Sequence, residues 1–69
     1  MRIEDFSIGE TIRIVDVSLI KQGDMIWDNG DIVYIRDVDI AENRIEVWDK
    51  DKYLSELIYE NELSGISKE

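Results

Sequence analysis

The chain has 69 residues, with seventeen Asp and Glu against eight Lys and Arg, a net charge of −9, and no histidine, cysteine or proline. That size allows a single domain, 1–69, whose core is close to the smallest that folds unaided. The composition excludes disulfides, a zinc site of the usual kind, and thiol or imidazole catalysis. It also argues against direct binding of nucleic acid, because neutralising phosphates needs clustered Lys and Arg.

Charged residues make up 36% of the chain and hydrophobic ones 43%, a balance that supports a packed core rather than a disordered tail. Twelve Ile and five Val stand against four Leu and one Ala. β-Branched side chains are stiff at χ1 and suit a pleated, half-buried surface, so a mainly β fold is expected. No run approaches the ~20 apolar residues of a membrane span, and Met1 to Ile12 does not read as a signal peptide. A cytoplasmic protein is the expectation.

In chain order, Ser7–Glu10 is turn-like and leads into Thr11–Asp16, where Ile12 and Ile14 alternate with Thr11 and Arg13 as in a strand with one wet face. Val17 to Gln22 is irregular. Met25–Ile26–Trp27 is a short apolar run before Asp28–Asn29–Gly30–Asp31, and Asn-Gly there predicts a hairpin with a type I′ turn. Ile32–Ile40 reads as a long strand, bent or bulged near Arg36. Ala41–Asn43 is a turn, and Arg44–Trp48 alternates with Ile45 and Val47 on one face. After the polar loop Asp49–Lys52, two readings are open for 53–63. Tyr53, Leu54, Leu57 and Ile58 have helical spacing, but Tyr59 and Leu63 then fall on the wrong face. The strand reading is preferred, with Leu57 and Tyr59 facing one way and Glu56, Ile58 and Glu60 the other. A short 3₁₀ turn over 60–63 and a last strand at Gly65–Ile66 complete it. Met1–Asp5 and Ser67–Glu69 are expected to fray.

Five short strands in this length imply a small barrel or a strongly bent antiparallel sheet. Gly9–Glu10–Thr11–Ile12–Arg13–Ile14, the Gly30–Asp31 lead into Ile32–Ile35, the strand Arg44–Trp48, the polar loop after it and the Glu62–Leu63 turn follow one another in a telling order. In that order the chain resembles the SH3-like small barrels, particularly the KOW-like and the phage or prophage variants. The resemblance covers about residues 8–66. It implies a topology more than an activity, and its small acidic phage members imply a protein that inhibits a host factor.

The residues offer little to catalysis. Five serines have no histidine to activate them, and four isolated glycines make no phosphate-cradling loop. The i, i+2 pairs Asp37/Asp39, Asp49/Asp51 and Glu60/Glu62 share a face if they lie in strands. A calcium loop starting at Asp49 fails at Leu54, where the sharp turn needs glycine. No enzyme, no cofactor and no metal are therefore expected, although a divalent-cation site at Asp49 and Asp51 stays open as a third reading. Among the aromatics, Tyr34, Trp48 and Tyr59 read as sheet packing. Trp27, beside a tight turn, reads either as a plug for the open end of the barrel or as an interface anchor.

The charge is unevenly placed. Residues 1–23 contribute −1, whereas 37–51 contribute −4. Carboxylates on neighbouring strands lie ~4.8 Å apart and those on one face of a strand ~6.8 Å apart, comparable with the ~7 Å between phosphates along a nucleic-acid strand. The preferred reading is a non-enzymatic module whose acidic face, Asp37, Asp39, Glu42, Glu46, Asp49 and Asp51 with Trp27 as an anchor, engages a basic nucleic-acid-binding protein as an inhibitor or DNA mimic. The alternative is an accessory SH3-like module that docks through an apolar patch or a sheet edge, its acidity serving solubility. Either is expected to be a monomer or a weak homodimer that binds no membrane.

Overall fold

The computed structural model describes residues 1–20 and 27–69 and is mainly β. Five strands, β1 (Thr11–Ile14), β2 (Ile32–Asp39), β3 (Arg44–Asp49), β4 (Leu54–Tyr59) and β5 (Ile66–Lys68), form one antiparallel sheet in the order β4-β3-β2-β1-β5. β4 and β5 do not pair, so the sheet is unclosed. Short 3₁₀ turns over Ile3–Asp5, Val17–Leu19 and Glu60–Gly65 complete the described elements. Among the described residues no helix is long and apolar enough to cross a membrane.

Alternation decides which face is buried. Ile12 and Ile14 of β1, Val33 and Ile35 of β2, Ile45 and Val47 of β3 and Ile58 of β4 all point inward and are fully shielded. Ile66 of β5 and, from outside the strands, Ile3, Phe6, Ile20, Trp27 and Leu63 complete one core cluster. Burying each of these large side chains contributes about 1.5–3 kcal/mol, the main stabilising source in a chain without staples.

β2 contains the expected bulge. Ile35 pairs with Val47 but Asp37 pairs with Glu46, so Arg36 is the extra residue. The segment 53–63 resolves as β4 followed by a 3₁₀ turn, with Ile58 inward and Tyr59 outward. Its helical spacing yields to β3, which pairs with every residue of β4.

Three expectations need correction. The Asn-Gly turn is not type I′: Gly30 has φ +96° while Asn29 is not among the residues of positive φ. Asp31 N–H donates to Asp28 O at 3.1 Å, so positive φ falls only on the third residue, as in a type II turn. Of the residues before the turn, Trp27 and Asp28 are described and lie in no strand. Gly30 and Asp31 instead exchange backbone bonds with Ile14, and the Asn29 Oδ1 accepts from Val17 N–H at 2.8 Å. Met25 and Ile26 lie outside the described residues.

Neither end frays. Ile3 and Phe6 are buried, and β5 pairs with β1 from Ile12 to Ile14. Lys68 bridges to Glu10, donates to Asp5 O and sits over the Phe6 ring, and Arg13 holds Glu69 at 2.8 Å. Apolar residues at 3 and 6 had something to pack against, which the local pattern did not show. Third, Trp27 is 1% exposed and belongs to the core, which overturns its reading as an interface anchor and agrees with that of an apolar plug. Its large apolar area favours that placement, although its Nε1 has no hydrogen-bond partner among the described residues.

Gly65 joins the 3₁₀ turn to the first loop. Its carbonyl accepts from Val15 and Asp16 N–H at 2.9 and 3.1 Å, and a Cβ there would lie 2.8 Å from Asp16 O. Because the obstacle is backbone, Gly65→Ala is expected to cost about 1–3 kcal/mol. Urea unfolding of the variant checks this, and an unchanged midpoint would contradict the close approach.

Candidate acidic interface

The seven sequence-derived residues do not form one site. Asp37, Asp39, Glu42 and Glu46 come together at the β2–β3 hairpin, Asp49 and Asp51 sit at the opposite end of β3, and Trp27 is inside.

At the hairpin, the register places Asp37 directly opposite Glu46 and Asp39 opposite Arg44, all on the face away from the core. Like charges directly opposed on neighbouring strands are destabilising, with Cβ atoms ~5 Å apart. Asp39 is partly neutralised: its carboxylate accepts from Glu42 N–H at 3.1 Å and lies 3.7 Å from Arg44 Nε. Arg44 also donates to the Tyr59 hydroxyl at 3.2 Å and stacks near that ring. That hydrogen bond, with smaller contributions from Asp39 and Glu42, holds the guanidinium still more firmly protonated than usual. Among the described residues, Asp37, Glu42 and Glu46 take part in no ion pair.

Beside this face lies a shallow cleft of about 380 Å³ lined by Glu42, Asn43, Tyr59, Glu60 and Asn61. The sequence paired Glu60 with Glu62, and the structure separates their tasks. Glu60 accepts from Ile3 N–H at 3.1 Å, and Glu62, 5% exposed, accepts from Tyr59 N–H at 2.9 Å. Tyr59, Asn43 and Asn61 were missed as site residues. Only the β3–β4 register and the turn at Asn43, φ +55°, bring them beside Glu42.

At the other end, Asp49 is 6% exposed and points inward, so it is not part of a presented acidic surface. Its Oδ1 accepts from Asp51 and Lys52 N–H at 3.0 and 3.2 Å and so fixes the β3–β4 turn. Asp51 is exposed. Among the described residues no group of three or more carboxylates is arranged to hold a metal ion.

The outer face here is aromatic. Thr11, Tyr34, Trp48 and Ser55 are successive cross-strand neighbours. Tyr53 meets Trp48 edge-on with centroids 6.3 Å apart, and the Arg36 guanidinium lies 4.9 Å over the Trp48 ring. A pocket of about 250 Å³ opens between Ile32, Tyr34, Trp48 and Asp51.

In comparisons with protein-family models, curated proteins and solved structures, the chain has no match.

Two expectations concern the Asp49 end. Asp49→Ala leaves two turn N–H groups without their acceptor and is expected to destabilise by about 1–3 kcal/mol in chemical denaturation. Asp31 accepts from Lys52 Nζ at 2.6 Å and from Asp28 N–H at 3.0 Å, and these bonds, Lys52 first, hold its carboxyl below the ordinary range. The folded chain thus gives up this proton more readily than the unfolded one. The resulting stabilisation is present above the ordinary aspartate range and lost as pH falls through the folded value. The stability gap between wild type and Asp31→Asn should therefore narrow as pH drops below about 4. A gap that stays constant on acidification would contradict this assignment.

Proposed function

We propose that the chain is a non-enzymatic protein-binding module on an SH3-like scaffold, and that the acidic face of its β2–β3 hairpin engages a basic, nucleic-acid-binding protein. The proposed role is that of an inhibitor or nucleic-acid mimic, in keeping with the likeness to phage-encoded members. The order of bulged strand, turn, strand, polar turn, strand, Glu-Leu 3₁₀ turn and last strand supports that scaffold. The observation that carries the functional reading is the Asp37–Glu46 juxtaposition, with Glu42 beyond it and none of the three in an ion pair among the described residues. Such a pair weakens the isolated sheet and is relieved when a partner's Lys or Arg reaches between the carboxylates. A partner steered by this field would bind fast and with a strong salt dependence.

A second reading has its own support in the Tyr34–Trp48–Tyr53 surface, where a rigid aromatic patch offers a docking point of the kind that dominates interfaces. Trp27 cannot separate the two, because truncating this core residue is expected to destabilise the fold. Trp48→Ala, on the outer face, can. The proposed reading expects Asp37→Lys/Glu46→Lys to weaken capture of the basic partner about tenfold or more, with DNA competing and Trp48→Ala nearly neutral. Capture that survives charge reversal and moderate salt but is lost in Trp48→Ala would transfer the function to the aromatic patch.

A further inference from the structure

An unclosed sheet has two edges, and each is a template for another strand. β5 is three residues long and its Lys68 is held by Glu10 and Asp5, which leaves little to pair with. β4 is twice that length and carries no basic residue. Its outward backbone groups can be identified from the ladder. Glu60 N–H donates to Asn43 O at 2.9 Å, so Asn43 and Glu60 form a hydrogen-bonded pair. Alternation along an antiparallel ladder then turns the N–H and C=O of Tyr59, Leu57 and Ser55 away from β3.

Two of those three donors are already occupied. Tyr59 N–H donates to Glu62 Oε1 at 2.9 Å, and Leu57 N–H donates to Glu56 Oε1 at 3.3 Å. Both acceptors are charged carboxylates next to or three residues from the donor, and an incoming strand would have to displace them. Ser55 is the remaining outward donor and has no side-chain acceptor among the described residues. We propose that Glu56 and Glu62 close the edge of β4 by occupying its outward donors, and that this prevents the strand from adding to β4 of a second copy of the chain. The blocked register is self-complementary. Antiparallel pairing about Leu57 sets Leu57 against Leu57 of the second copy, Ser55 against Tyr59, and Glu56 against Ile58, and every outward donor meets a carbonyl. The two carboxylates block that arrangement locally, and the net charge of −9 opposes association generally.

Charge and edge blocking are separated by matched variants. Glu56→Ala/Glu62→Ala and Asp37→Ala/Glu46→Ala each remove two negative charges, the first pair at the edge and the second from the face. Sedimentation across a concentration series is expected to leave wild type and the face variant monomeric. The edge variant should self-associate about tenfold or more tightly, the return expected for one or two freed backbone hydrogen bonds. Adding Ser55→Pro, at a position whose N–H faces away from β3, should restore the monomer without breaking the β3–β4 ladder. Association in both variants, in neither, or unaffected by Ser55→Pro overturns the proposal. Because Glu62 is buried and its substitution also perturbs the fold, amide exchange of the wild-type protein provides an independent measurement. Leu57 and Tyr59 should exchange measurably more slowly than Ser55, and equal rates for all three overturn the proposal as well.

Discussion

The acidic face depends on a single extra residue in β2. Val33 and Ile35 point into the core, and strict alternation would send Asp37 and Asp39 in after them. Two carboxylates buried against Ile45 would cost several kcal/mol each unless neutralised. The bulge at Arg36 resets the phase, so that Val38 packs against the core while Asp37 and Asp39 turn to the opposite face. One irregularity thus preserves a continuous apolar interior and gathers negative charge outside. Arg36, the residue displaced, does not remain idle: its guanidinium covers the Trp48 ring.

From that reset follows a division of the outer face. The hairpin end carries opposed carboxylates with Arg44 bound to Asp39 and Tyr59. The other end carries Tyr34, Trp48 and Tyr53. Acidic residues also do internal work throughout the chain. Asp49 fixes a turn, Asp16 accepts from Ser18 at the start of the second 3₁₀ turn, and Asp5 and Glu10 accept from Arg2 and Ser7 N–H. A substantial part of the surplus charge is therefore committed to backbone donors in turns, whether the carboxylate is buried, as at Asp49, or exposed, as at Asp5.

This division explains what the sequence reveals and what it hides. Strand positions and the inward set Ile12, Ile14, Ile45 and Val47 are legible because period-two alternation is a local signal. The bulge is legible too, since Ile35–Arg36–Asp37–Val38 breaks that period. The ends were misread because the burial of Ile3 and Phe6 is decided by elements far away in sequence. Asp49 was misassigned for a related reason. An aspartate accepting from the N–H groups two and three residues on looks, as a letter, like any exposed one. The cleft beside Tyr59 depends on cross-strand register, which no single segment carries.

Trp27 and Trp48 occupy opposite environments, one enclosed in the core and the other on the outer face beneath a guanidinium. The protein therefore carries two built-in optical reporters. Emission from the enclosed Trp27 is expected further to the blue and to follow the integrity of the interior, while that from Trp48 is expected further to the red and to respond to whatever settles on the sheet. Folding and surface occupancy can then be followed separately in one unlabelled sample.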